Sequence, residues 1–152
     1  MNMKLNLKTI YFLLLLGLFT QACQVKWITD YDSEMVNEIV EVAKDVDSYY
    51  AKLLSLTDEN GEIQFTEEYP RKSFEAFYQD IDSDLYGIML KNQSKSLNTY
   101  STEISKSILQ EYWRKYKGDL NSKETILQIH RNNFTKNFEA LLKAEKAKNE
   151  TN

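Results

Sequence analysis

The sequence predicts an all-α protein, an antiparallel four-helix bundle with short loops. Three observations carry this reading. The 152 residues include one proline, Pro70, and four glycines, at positions 17, 61, 87 and 118, so little interrupts a helix. Four segments repeat apolar residues at the i, i+3, i+4, i+7 spacing of a helix face. The breaks between those segments are short, and helices joined that way pack as antiparallel neighbours.

The first helix is expected from about Ser33 to Leu56. Val36, Ile39, Val40, Ala43, Val46, Tyr50, Leu53 and Leu54 form its apolar face, and Asp32 or Ser33 suits its N-cap. Asn60-Gly61 is a turn signal. Ile63 and Phe65 follow it in what reads as a packed loop from Glu62 to Tyr69. Pro70 suits the first turn of a second helix, with Phe74, Phe77, Tyr78, Ile81, Leu85, Ile88 and Met89 on its face. Gly87 weakens that helix by about 1 kcal/mol relative to alanine. A third helix starts near Thr99 or Ser101 and carries Ile104, Ile108, Leu109, Tyr112 and Tyr116, with Gly118 placed as its stop. Asn121 with Glu124 reads as a capping box for a fourth, whose face is Ile126, Leu127, Phe134, Phe138, Leu141 and Ala144. The charged stretch from Lys143 to Asn152 is expected to fray at its end.

The N-terminal segment reads differently. Lys4 and Lys8 precede the uncharged run Ile10-Tyr11-Phe12-Leu13-Leu14-Leu15-Leu16-Gly17-Leu18-Phe19, which closes on Thr20-Gln21-Ala22-Cys23. A basic start, an apolar run of roughly 7–15 residues and a small residue before the cut describe a secretory signal. The run is shorter than the about 20 apolar residues that span a bilayer. Cys23, the only cysteine, stands where the cut would fall. This segment resembles the signal and lipobox of bacterial lipoproteins. Ala22 and Cys23 match that pattern, whereas Thr20 and Gln21 depart from its usual residues. The resemblance implies a diacylated and N-acylated Cys23 after loss of residues 1–22. An ordinary cleaved signal would instead leave a soluble exported chain. Many Gram-negative lipoproteins held at the inner membrane carry Asp after the cysteine. Gln24 stands there, which favours the periplasmic side of the outer membrane. The organisation expected is therefore a signal peptide over 1–22, a lipidated tether over 23–32, a helical bundle over 33–148 and a frayed tail over 149–152.

Composition excludes several functions. Removing residues 1–22 takes away Lys4 and Lys8 and no acid, leaving a formal charge of −6. A nucleic-acid binder needs a basic face, so no nucleic acid is expected as partner. Docking on anionic lipid by charge is equally disfavoured, and membrane attachment is expected through acyl chains on Cys23. One cysteine permits no disulfide within the chain, so stability must come from packing.

Motifs for chemistry are sparse. His130, the only histidine, falls on the face of the fourth helix, and Asp47 falls among apolar residues of the first. The two could form a buried pH-sensitive pair, but an imidazole satisfied by a tyrosine, Asn137 or a backbone carbonyl is the expected reading. Asp80-x-Asp82-x-Asp84 and Asp58-x-Asn60-x-Glu62 both lack the glycine and glutamate that a calcium loop needs at its sixth and twelfth positions. There is no Gly-x-Ser-x-Gly, P-loop or dinucleotide glycine pattern. No cofactor is expected, and catalysis by His130 with a carboxylate is the least favoured function. Tyr49, Tyr86 and Trp113 fall off the apolar stripes and are candidates either for helix seams or for a partner-facing patch. A second function class, a binder of a small apolar ligand or lipid, would need a cavity lined by Phe74, Phe77, Phe134 and Phe138. The reading favoured is a non-catalytic accessory or interaction protein of the cell envelope.

Overall fold

The computed structural model describes residues 29–150, apart from the side chains of Lys117 and Glu150. Cys23, the signal segment and the last two residues lie outside the described residues. Four helices form the bundle: α1 over Ser33–Ser55, α2 over Arg71–Ser94, α3 over Thr99–Asp119 and α4 over Glu124–Glu150. α1 packs on α2 and α4, and α3 packs on α2 and α4, giving the cyclic order of an up-down-up-down bundle. Among the described residues no helix is long and apolar enough to cross a membrane.

Local chemistry explains most of the boundaries. Asp32 is the N-cap of α1; its Oδ1 accepts the backbone N–H groups of Glu34 and Met35 at 3.0 and 3.1 Å. Pro70 precedes α2, and its carbonyl accepts both the N–H and the hydroxyl of Ser73. The connection between α1 and α2, residues 56–70, is longer than the other two and is packed down. One antiparallel bridge joins Thr57 to Ile63, and Ile63, Phe65 and Tyr69 are half-buried against the core. Asp58 shapes its turn by accepting from Asn60 N, Glu62 N and Gln64 Nε2. These bonds hold its carboxyl below the usual carboxylate range, the Glu62 N–H most strongly.

Two expected termini differ. Gly118 does not stop α3; it stays helical and the helix runs on to Asp119, with Leu120 as a right-handed C-cap. The capping-box bond expected from Glu124 to Asn121 is replaced at the start of α4. The Asn121 side chain accepts from Arg71 Nη1 at 3.0 Å, and the Glu124 N–H is taken instead by the carbonyl of Gly61, 2.9 Å away. The cap of α4 thus comes from the α1–α2 loop. Gly61 is required there: its φ of +73° is left-handed, and an added Cβ would meet Glu124 Cβ at 3.4 Å.

The core is built from rings and branched aliphatics of all four helices. Tyr50, Ile39 and Leu53 of α1, Ile81 of α2, Ile108, Leu109 and Tyr112 of α3, and Leu127, Phe134 and Leu141 of α4 are fully buried. Tyr78 stacks on both Tyr112 and Tyr116 across the α2–α3 seam. On α4 the expected stripe is displaced: Ile126 is exposed, and burial follows 127, 134, 138, 141, 145 and 148. Glu145 and Lys148 are therefore interior residues, and the charged C-terminal stretch is packed helix through those positions, within the expected bundle bounds.

Gly87 lies inside α2, and a Cβ built on it meets nothing within 4 Å. Gly87→Ala is expected to raise unfolding stability by about 0.5–1 kcal/mol, because alanine restricts the unfolded chain and favours the helix. Urea titration of the two proteins would check it. A loss of stability would mean that α2 is not regular at this position.

Candidate functional site

The loop end of the bundle concentrates its titratable chemistry. Asp119, the last residue of α3, is 2% exposed. Its Oδ2 accepts the Tyr50 hydroxyl of α1 at 2.5 Å, and its Oδ1 lies 2.7 Å from Nδ1 of His130 on α4. Three helices therefore meet on one carboxylate. Burial pushes that carboxyl above the usual range, opposed by the bonds from Tyr50 and His130 and by the charges of His130 and Lys115. Burial also pushes the hydroxyls of Tyr49, Tyr50, Tyr78 and Tyr112 upward, so these phenols are neutral at any physiological pH. Tyr78 donates to the Tyr112 carbonyl at 3.3 Å, while the hydroxyls of Tyr49 and Tyr112 are buried without a protein partner.

The structure corrects both readings of His130: its Nδ1 lies on Asp119, in place of the tyrosine, Asn137 or backbone carbonyl expected and in place of Asp47. Asp47 does not meet it. Asp47 instead takes Arg131 in a bidentate pair, at 2.6 Å to Nε and 2.8 Å to Nη2, and that guanidinium holds its carboxyl below the usual range. The reason is register. The tight α3–α4 connection sets the end of α3 beside the second turn of α4, so Asp119 reaches His130 as Glu111 reaches Asn137, 2.7 Å away and further down the seam. Chemically, the carboxylate fixes the imidazole by Nδ1. Since the same carboxylate holds a core tyrosine, the arrangement serves first to lock α1, α3 and α4 together.

Of the three aromatic candidates, Tyr49 takes the helix-seam alternative and is not partner-facing. It is 2% exposed and packs on Tyr50, Phe74 and Phe77, because α1 buries one face on α4 and a second on α2. Tyr86 and Trp113 are 46% and 51% exposed. Trp113 lies across the α2–α3 seam with its Nε1 donating to Asp82. Leu90, Leu97 and Tyr100 are also exposed, so five of the seven exposed large hydrophobics among the described residues belong to the α2–α3 hairpin. The four phenylalanines expected around one cavity do not share one. Phe74 and Phe77 border a groove of about 270 Å³ beside Tyr49, Lys52 and Tyr69; Phe138 borders another, of about 370 Å³; Phe134 packs on Tyr50 and Tyr112.

The opposite end of the bundle holds a polar cluster that sequence reasoning missed. Lys148 Nζ lies 2.5 Å from Glu145 Oε1 and 2.6 Å from Asn98 Oδ1. Asn98 Nδ2 donates to the carbonyl and the Oδ1 of Asn92 at 3.0 and 2.8 Å. All four side chains are buried. The signal was present in the sequence: Glu145 and Lys148 continue the spacing of Phe134, Phe138 and Leu141.

Comparison with protein families, with curated proteins and with solved structures finds no match to this chain.

Proposed function

We propose that the chain is a lipid-anchored protein of the bacterial envelope, held by acyl chains on Cys23. Its helical bundle acts as a non-catalytic interaction subunit and offers the α2–α3 hairpin to an envelope protein. One observation carries the interaction reading: the exposed large hydrophobics gather on that hairpin, whereas α1 contributes none among the described residues. Exposed apolar side chains so concentrated mark contact surfaces. The lipid anchor is supported by the segment from Lys4 to Cys23, and the outer membrane, periplasmic side, by Gln24. The mature charge of −6 supports a protein partner over a nucleic acid. The non-catalytic reading is supported by the structural use of Asp119, the carboxylate beside His130, which also accepts the buried Tyr50 hydroxyl and so joins three helices.

Two measurements test this. The intact mass of membrane-extracted protein is expected to start at Cys23 with added acyl chains, and Cys23→Ser is expected to lose them. A photocrosslinking residue placed at Tyr86 or Trp113 in the native host is expected to give one discrete product with an envelope protein. The same residue at Ile129, exposed on α4, is expected to give none. Indistinguishable patterns at the three positions would sink the hairpin as the contact face, and an unacylated soluble product would remove the anchor.

A further inference from the structure

We infer that the α2–α3 turn is a second membrane contact, with Leu97 and Tyr100 seated in the lipid interface beside the acylated Cys23. The inference rests on the anchored reading above and deepens it, assigning the tip of the hairpin to lipid and leaving its flank to a protein.

The turn is built in an unusual way. Leu97 has φ +61°, a left-handed conformation that bulky side chains rarely adopt, and it is 57% exposed. Strain of this kind persists only where the surroundings over-determine the backbone. Both flanks of Leu97 are fixed. On one side Lys95 pairs with Asp32 of α1, 2.5 Å apart. On the other, the Asn98 side chain is drawn into the core by Asn92 and Lys148. Pinned at both ends, the chain has little room to turn the leucine inward. Three residues on, Tyr100 in the first turn of α3 is 71% exposed. A leucine beside a tyrosine is chemistry suited to a bilayer interface, the first entering the acyl boundary and the second lying at headgroup level.

The position of the anchor names lipid as the occupant. Asp32 is nine residues after Cys23, a covalent reach of about 30 Å at most. Because Asp32 is bonded to Lys95, the tether enters the bundle beside this turn. The far end of the hairpin stands another helix length away, about 30–36 Å. The Asp32–Lys95 and Glu38–Lys91 pairs also neutralise charge near this end, which lowers the penalty for approaching a bilayer. An acyl anchor on a short tether fixes distance but not orientation; a second contact supplies orientation.

The test uses the full acylated protein in vesicles of phosphatidylethanolamine and phosphatidylglycerol. Acylation occupies the thiol of Cys23, the only cysteine, so Leu97→Cys carries the only free thiol for an environment-sensitive fluorophore. Its emission is expected to shift to the blue and to be quenched by lipids spin-labelled near the headgroup. The same label on Ile129→Cys, near the other end of the bundle, is expected to stay aqueous. Should Leu97→Cys fail to fold, Tyr100→Cys reads the same contact from a regular helical position. Equal, unquenched emission from the tip and from position 129 on a protein whose mass shows the acyl chains would overturn the contact and leave the anchor standing. A mass without acyl chains would overturn the anchor and this proposal with it.

Discussion

Lys148→Met is expected to destabilise the bundle by about 3–5 kcal/mol, the range found when one partner of a buried ion pair is removed. The Glu145 side chain is 0% exposed, with one oxygen on Lys148 and the other without a protein partner. Taking away the ammonium strands that carboxylate in the interior and leaves the Asn98 side-chain oxygen, Oδ1, without its 2.6 Å donor. The double variant Glu145→Leu with Lys148→Met removes both charges and is expected to lie within about 1–2 kcal/mol of the original protein, since apolar replacements of buried pairs are often neutral. What remains is the loss at Asn98, about 1 kcal/mol for one hydrogen bond. Urea unfolding of the three proteins measures this, with unchanged slopes confirming that stability alone has moved. A single-variant loss below about 1 kcal/mol, the size typical of solvated pairs, would show that water reaches the pair. The double variant also separates stability from shape: if the network exists to set the turn, it should fold while losing the lipid contact expected at Leu97.

The same residues show what the sequence could and could not disclose. Fold class was legible because apolar spacing survives without knowledge of neighbours, and α1 was legible at both ends because Asp32 and Asn60-Gly61 act locally. The start of α4 was not, since its first N–H is capped by Gly61, about sixty residues earlier. Glu145 and Lys148 keep the spacing of the stripe, but charge alone reads as solvent, and only the presence of Asn98 opposite them makes burial tolerable. Tyr49 lies off the apolar stripe and yet is buried, because this helix buries two faces, which leaves a seam and a surface patch indistinguishable from spacing alone. For His130, neither the neutral partner that the sequence favours nor Asp47 on α1 is the one found, because the α3–α4 hairpin register sets Asp119 against it. The exposed leucine at position 97 carried no signal, because left-handed φ at a non-glycine residue depends on what pins the backbone to either side.

Asp119→Leu is expected to destabilise the protein by about 2–4 kcal/mol, while Asp119→Asn should do much less. Leucine fills the space but leaves the buried Tyr50 hydroxyl and His130 Nδ1 without their shared acceptor, and an orphaned buried donor costs about 1–3 kcal/mol. Removal of a desolvated carboxylate offsets part of that loss. Asparagine keeps an acceptor oxygen of the same shape and adds a donor for whichever imidazole tautomer is present. The two substitutions also differ from the original in pH dependence. Burial raises the Asp119 carboxyl above its ordinary 3.8, so the folded state binds this proton more tightly than the unfolded chain. Stability contributed by Asp119 is then greatest below pH 3.8 and declines as pH rises through the raised folded value. Asp32 and Asp47 are lowered, by Lys95 and Arg131, and act in the opposite sense: their contribution is present above 3.8 and is lost as pH falls through their folded values. Unfolding free energies of the original and Asp119→Asn proteins, measured from about pH 3 to pH 7, should therefore lie closest in acid, where the carboxyl is neutral like the amide, and the original should lose stability relative to the variant as pH rises through the raised folded value. Parallel profiles would mean that Tyr50 and His130 fully compensate the burial of the carboxylate, and that the meeting point of α1, α3 and α4 is an ordinary hydrogen-bonded joint.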